Sequence, residues 1–88
     1  MELNNNGIIK AGESVIDGYK VQIVVVYNVN EQATSANATI TRKDGETEKR
    51  VGYASWSAGR TSYNFVENID KDAVVNILDE IATTFSNL

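Results

Sequence analysis

The segment 70–88 carries the one helical pattern in this chain, and it constrains the fold more than any other feature. Its apolar residues recur at steps of three and four, which places them on one stripe of an α-helix. They are Val74, Ile77, Leu78, Ile81, Ala82, Phe85 and Leu88. Asp70 is a suitable N-cap because its carboxylate accepts backbone N–H groups of the first turn. The preceding residues must therefore supply a surface for this stripe to cover.

Residues 7–66 show the pattern of β-strands separated by short turns. The clearest strand is 19–29, where apolar and polar residues alternate. Asp17-Gly18 and Asp44-Gly45 predict two-residue hairpin turns, and Ser57-Ala58-Gly59 predicts a three-residue turn. We therefore expect an α+β fold, in which an antiparallel β-meander of four to five strands carries one C-terminal helix packed across one face.

A chain of 88 residues is of the right length for a single domain, 1–88. Within it we expect a loose N-terminus at 1–6, the meander at 7–66 and the C-terminal helix at 70–88. The predicted core combines the helix stripe with inward residues of the sheet. Those sheet residues are Tyr19, Val21, Ile23, Val25, Tyr27, Ile40, Val51, Tyr53, Tyr63 and Phe65.

The predicted turns also determine which residues face each other across the strands. The expected pairs of the first hairpin include Ile16–Tyr19, Gly12–Ile23, Ala11–Val24, Lys10–Val25 and Ile9–Val26. Those of the second include Thr41–Glu48, Thr39–Arg50, Ala38–Val51 and Ala36–Tyr53. Those of the third include Trp56–Arg60, Ala54–Ser62, Tyr53–Tyr63, Gly52–Asn64 and Val51–Phe65. Gly12 is also a plausible bulge site, which would change the side-chain alternation before it.

The composition disfavours several classes of function. The chain has no Cys and no His, which removes disulfides, thiol nucleophiles and the commonest metal ligands. It shows no nucleophile elbow and no glycine-rich phosphate loop. We therefore expect no catalytic residues, no metal site and no cofactor, and hence a protein that is not an enzyme.

Charge and hydropathy bear on partners and location. The net charge of −4 disfavours general binding to nucleic-acid phosphates. No segment approaches the roughly 20 apolar residues of a membrane span, and the N-terminus lacks a signal-peptide pattern. We expect a cytoplasmic protein without a membrane partner.

The first candidate surface is the outward side of the first hairpin. It combines five small or β-branched apolar residues, Ile9, Ala11, Val15, Val24 and Val26. A contiguous exposed apolar patch favours self-association or a protein partner. The alternative is that the N-terminal segment covers this side of the strand.

The second candidate is a ligand face on the outward side of the last hairpin, formed by Arg50, Trp56, Arg60, Ser62 and Asn64. A Trp beside an Arg can stack on a nucleic-acid base. The alternative is an ordinary solvated face with one amphipathic Trp.

The third candidate is an acidic surface formed by Glu67, Asp72, Asp79 and Glu80. Such a surface can imitate phosphate toward a basic protein, and the alternative is a solvated helix face.

These observations favour a small non-catalytic protein-interaction module that self-associates, as a homodimer, through the outer sheet face. One alternative is a single-stranded nucleic-acid-binding module that uses Trp56, Arg60 and Arg50. Another is a small acidic inhibitor of a nucleic-acid-handling enzyme, of the phage or mobile-element type.

Overall fold

Six strands and one helix follow one another in the computed structural model, which describes residues 4–6, 8–66 and 68–88. The elements are β1 (Asn4–Asn6), β2 (Ile9–Ile16), β3 (Tyr19–Tyr27), β4 (Ala33–Asp44), β5 (Thr47–Ser57), β6 (Arg60–Phe65) and α1 (Lys71–Ser86). The strands form one antiparallel sheet whose spatial order is the sequence order. The expected α+β meander with a C-terminal helix is confirmed. Strands β2–β6 form the expected meander, and the short β1 precedes it.

Residues 4–6 depart from the expected loose N-terminus because they pair with β2, from Asn4–Ala11 to Asn6–Ile9. The other residues of that predicted segment, 1–3, lie outside the described residues, as do Gly7 and Glu67. Strand β1 extends the sheet sideways and covers neither of its faces.

The first hairpin has the predicted register. Ile16 faces Tyr19 across the turn, and the ladder continues without a shift to Ile9–Val26, so Gly12 forms no bulge. Asp17 and Gly18 have φ angles of 50° and 85°. Two successive residues with positive φ define the turn that matches the natural twist of a hairpin, and Asp-Gly is one of the pairs that tolerate it best.

Strand β3 ends earlier than predicted. Val29 was expected to continue the strand, but it lies in the following turn and is 92% exposed. The side-chain oxygen of Asn28 accepts hydrogen bonds from the backbone N–H groups of Asn30 and Gln32, at 2.9 and 3.1 Å. An Asn that satisfies its own following backbone stabilises a turn in competition with a strand.

The second hairpin does not have the predicted register. Asp44 faces Thr47, so the loop is Gly45-Glu46 and not Asp44-Gly45. Gly45 takes the first loop position with a φ of 68°, which is the glycine position of a type II′ turn. The expected pairs of this hairpin, including Ala36–Tyr53, are therefore wrong, and Ala36 faces Trp56.

A bulge in β5 has a larger effect than the displaced loop. Thr41 faces Arg50 and Ile40 faces Gly52, so Val51 is an extra residue without a partner on β4. Val51 and Gly52 are both buried. Beyond this point the residues of β5 point to the opposite side from the one predicted, because one inserted residue reverses the alternation.

Gly52 cannot carry a side chain in this arrangement. A Cβ built there would lie 2.8 Å from Cδ1 of Phe65 and 3.1 Å from the carbonyl oxygen of Asn64. Phe65 is the residue opposite Gly52 on β6, and its ring occupies the space that a side chain at 52 would need.

The third hairpin has a two-residue loop in place of the predicted three. Ser57 faces Arg60 across Ala58-Gly59, and these two residues have φ angles of 52° and 77°. The expected pairs Trp56–Arg60 and Tyr53–Tyr63 are wrong. Trp56 faces Thr61, and Tyr63 faces Ala54.

The core lies between the helix and one face of the sheet, which we call the inner face. Val21, Ile23, Val25, Ile40 and Val51 are fully buried, as predicted. Ala36, Ala38 and Ala54 join them, while Tyr19, Tyr27, Trp56 and Phe65 are partly buried against the same cluster. Tyr53 and Tyr63 were predicted in the core, but both are exposed. The bulge turns Tyr53 to the opposite face, which we call the outer face.

Helix α1 begins after Asp70, whose carboxylate accepts a hydrogen bond from the N–H of Ala73 at 3.4 Å, as the N-cap prediction requires. Its buried residues are Ala73, Ile77, Ile81, Thr84 and Phe85. The predicted stripe is therefore rotated toward Ala73 and Thr84, and Ala82 is exposed. Thr84 tolerates burial because its hydroxyl donates to the carbonyl of Glu80 at 2.9 Å.

Candidate interaction face

The outer face of the sheet lies opposite α1, and strand alternation determines its composition. Its residues alternate with the buried ones on each strand. They are Ile9, Ala11, Glu13 and Val15 on β2; Lys20, Gln22, Val24 and Val26 on β3; Ser35, Asn37, Thr39 and Thr41 on β4; Arg50, Tyr53 and Ser55 on β5; and Arg60, Ser62 and Asn64 on β6. No helix or loop of the described residues packs across this face.

The apolar end of the outer face is the patch predicted from the sequence. Ala11 faces Val24, and Ile9 faces Val26, so these side chains adjoin across β2 and β3. Ile9 is 42% exposed and Val24 is 41% exposed. Val15 was predicted in the same patch and is 69% exposed, but it faces Lys20 beyond the Glu13–Gln22 pair and does not adjoin the other four residues. The predicted alternative, a cover formed by the N-terminal segment, finds no support in β1, because β1 lies beside β2 in the plane of the sheet.

A shallow concavity of about 390 Å³ lies next to this patch, across the middle of β2, β3 and β4. Its wall includes Ala11, Glu13, Gln22, Val24 and Asn37. The amide of Gln22 donates to the carboxylate of Glu13 at 3.3 Å. The twisted outer face thus presents a recess with an apolar side and a polar side.

An ion pair borders the patch on the side of the β4–β5 turn. Nζ of Lys20 lies 2.6 Å from Oε1 of Glu48, which reaches it across β4. The hydrogen bond from Lys20 to Glu48 raises the pKa of Lys20 above its usual value, and the charges of Glu48 and Glu13 act in the same direction. Lys20 therefore keeps its positive charge throughout the neutral range.

The predicted ligand face is only partly assembled. Arg50, Arg60, Ser62 and Asn64 lie on the outer face, but Trp56 lies on the inner face and packs against the core. The bulge at Val51 is the reason, since it reverses the side to which Trp56 points.

Tyr53 stands on the outer face where Trp56 was expected, and sequence reasoning missed it. Its hydroxyl accepts a hydrogen bond from Nδ2 of Asn64 at 2.8 Å, and the guanidinium of Arg50 lies 5.6 Å from the centre of its ring. An aromatic side chain fixed from two sides gives this end of the face a rigid, amphipathic surface. The juxtaposition of Val51 with Gly52 was the available signal, because a bulge often coincides with a glycine.

The predicted acidic surface lies on α1. Asp72 and Asp79 are exposed, Glu80 is half-buried, and Glu67 lies outside the described residues. Helix α1 also contacts the first hairpin turn, because Nδ2 of Asn76 donates to Oδ2 of Asp17 at 2.8 Å. Asn76 thus links the helix to the sheet, whereas Asp72 and Asp79 face solvent.

The fold and this face define a two-layer α+β domain with a meander sheet, one covered face and one open face. Comparison with protein-family models, with curated proteins and with solved structures found no match. Within the described ranges, no helix has the length and apolar character needed to cross a bilayer. Nor do any three acidic residues of that part of the chain cluster as metal ligands would.

Proposed function

We propose that this chain is a non-catalytic interaction module that self-associates through the outer face of its sheet. The observation that carries the proposal is the apolar patch of β2 and β3, where Ile9 and Val24 are 42% and 41% exposed on a face that no described element covers. Burial of such a patch is favourable by roughly 25 cal/mol per Å², and a contiguous exposed apolar patch marks an interaction site on many proteins.

The dimensions of the outer face suit a second copy of the same chain. Five strands spaced by about 4.8 Å, each about eight residues long at about 3.3 Å per residue, present a face of roughly 600 Å². Stable interfaces bury about 800 Å² of accessible surface on each partner, and a pleated surface has more accessible area than its outline. A two-fold arrangement brings the same patch of both copies together.

The charges beside the patch also suit a copy of itself. Glu13 on β2 and Lys20 on β3 are diagonal neighbours at one end of the apolar residues, toward the hairpin turn. Two copies related by a two-fold axis present opposite charges in equal number to each other, which favours one register over others.

The two alternatives have less support. A nucleic-acid module was expected to use Trp56 together with Arg50 and Arg60, and Trp56 lies on the other side of the sheet from both. An acidic inhibitor rests on Asp72 and Asp79, which have the positions of ordinary solvated helix residues.

The test is the mass of the assembly in solution, measured by light scattering at high micromolar concentration. The change Val24→Lys places a charge in the patch and should lower the mass. Val29→Lys is the matched control, because Val29 lies in a turn away from the face and is already exposed; it should leave the mass unchanged. A wild-type mass of one chain, 9.6 kDa, or an unchanged mass for Val24→Lys would overturn the proposal.

A further inference from the structure

Strand β6 is the last strand of the sheet and has a neighbouring strand on one side only. A free strand edge exposes backbone N–H and C=O groups that can pair with another strand. The free edge of β6 is distinct from the outer face, since it lies in the plane of the sheet and at the opposite end from the apolar patch.

Alternation along β6 determines which backbone groups point outward. Ser57 and Arg60 flank a two-residue loop, so they form a hydrogen-bonded pair, and Ser62 and Asn64 repeat that orientation. The N–H of Val66 continues the series, since it donates to the carbonyl of Val51 at 2.9 Å. The N–H and C=O groups of Thr61, Tyr63 and Phe65 therefore point away from β5.

The usual protections of an edge strand are missing from β6. Natural edge strands are often guarded by proline, by a bulge, by inward charges or by a covering loop. Strand β6 has no proline, its pairing with β5 is continuous, and Arg60 at its first position is its one charged residue. Within the described residues, no hydrogen bond is made by the outward backbone groups of Thr61, Tyr63 and Phe65.

We propose that the free edge of β6 pairs with β6 of a second copy, antiparallel and centred on Tyr63. Side chains on one face must meet side chains on the same face, so the two-fold axis passes through a residue and not between two residues. With the axis at Ser62, only Thr61 and Tyr63 would form hydrogen bonds through their outward backbone groups. An axis at Tyr63 pairs Tyr63 with itself and Thr61 with Phe65, and so satisfies all three outward residues.

The side chains fit this register. On the inner face it sets the two Tyr63 rings side by side and places each Thr61 opposite a Phe65, and aromatic–aromatic and aromatic–β-branched pairs are favourable across strands. Tyr63 is available for this contact because it is 40% exposed. On the outer face Ser62 meets Asn64 of the second copy, and no two like charges face each other.

Self-complementarity is the reason to assign a second copy and not an unrelated peptide. The register that satisfies every outward group is also the register that pairs the aromatic residues and separates the two Arg60 side chains. Edge pairing of this kind joins two sheets into one continuous sheet, whereas association of outer faces stacks two sheets. The two modes use separate surfaces and can be tested separately.

The experiment compares four proteins by light scattering at high micromolar concentration: the wild type, Val24→Lys, Tyr63→Lys and the double variant. Lys at position 63 places two like charges opposite each other on the axis. If both modes operate, we expect more than two chains in the wild type, because two separate two-fold contacts join dimers to one another, two chains in each single variant and one in the double variant. The edge proposal is overturned if Val24→Lys is already monomeric and Tyr63→Lys has the wild-type mass. The outer-face proposal is overturned if Val24→Lys has the wild-type mass.

Amide hydrogen exchange adds a residue-specific readout in the Val24→Lys background. We expect the amides of Thr61, Tyr63 and Phe65 to exchange slowly at high concentration, and at least tenfold faster in the double variant. The amides of Ser62 and Asn64 bond to β5, so they should be slow in both proteins and thereby show that β6 remains folded. Thr61→Lys, at an exposed position, should weaken the pairing less than Tyr63→Lys, because in this register position 61 faces Phe65 of the second copy and no two like charges meet. Fast exchange at Thr61, Tyr63 and Phe65 in the Val24→Lys protein at every concentration would contradict edge pairing.

Discussion

At the scale of single residues, Ala58 adopts a backbone conformation that lowers the stability of the fold. Its φ of 52° is in the left-handed region, which costs an L-residue other than Gly, Asn or Asp roughly 1 kcal/mol. The turn Ala58-Gly59 nevertheless needs positive φ at both positions, since it joins twisted strands through two residues. The first hairpin solves the same problem with Asp17-Gly18, a pair better suited to the conformation.

We therefore expect Ala58→Asn to stabilise the protein by about 0.5–1 kcal/mol, because Asn-Gly is the favoured pair for this turn. Urea unfolding at equilibrium measures the effect. Asp17→Ala is the converse change and should lose more than this amount, because it also removes the hydrogen bond from Asn76 to Asp17. A three-residue loop over 57–59 would hold Ala58 in a right-handed conformation. In that case Ala58→Asn would bring no stabilisation, so the measurement also distinguishes the two loops.

At the scale of the elements, the core is the contact between α1 and the inner face of the sheet. Ile77 and Ile81 are fully buried in the cluster that includes the sheet residues Val21, Ile23 and Ile40. Truncation of a buried Ile leaves a cavity in addition to the lost burial, and typically costs 2–5 kcal/mol.

Ile81→Ala should therefore destabilise the protein by about 2–5 kcal/mol, a large part of the total for a domain of this size. Val75→Ala on the same helix is the control, because Val75 is 62% exposed, and it should change the stability by less than about 0.5 kcal/mol. Thermal or urea unfolding of both variants is the measurement. Equal losses from the two variants would contradict the packing of α1 on the sheet.

The elements also show how far sequence reasoning reaches. The helix and the first hairpin were predictable. A long apolar stripe fits only a helix, and an Asp-Gly pair between two strands of regularly alternating residues fits only a two-residue turn. The second turn was not predictable, because the glycine of Asp44-Gly45 fits either loop position. The bulge at Val51 was missed because a glycine inside a strand, here Gly52, permits a bulge without requiring one, and so Trp56 and Tyr53 were assigned to the wrong faces. The side to which Val24 and its neighbours point was predicted correctly, because they belong to the hairpin whose register was correct.

At the scale of the whole molecule, the chain is a thin plate with principal extents of 41, 26 and 18 Å. The shortest extent corresponds to one sheet and one helix layer, since packed layers lie about 10 Å apart. A two-layer domain of this length exposes much of its sheet, and small domains bury a smaller fraction of their surface than large ones. Association through the outer face or the edge of β6 would add burial that the single chain lacks.

Association should therefore be visible as a concentration-dependent stability. A contact made only by folded chains stabilises them by mass action. For a domain of this size we expect the melting temperature of the wild type to rise by about 3–5 °C for each tenfold increase in protein concentration. Calorimetry or circular dichroism over a hundredfold range measures this shift.

The double variant Val24→Lys, Tyr63→Lys provides the control for that shift, because it removes both contacts while its two changes lie at partly exposed positions. Its melting temperature should be independent of concentration and should match that of the dilute wild type within about 4–8 °C, since two surface substitutions together change stability by about 1 kcal/mol at most. A wild-type melting temperature that stays constant over the same range would show that the plate is stable as a single chain, with its outer face open to water.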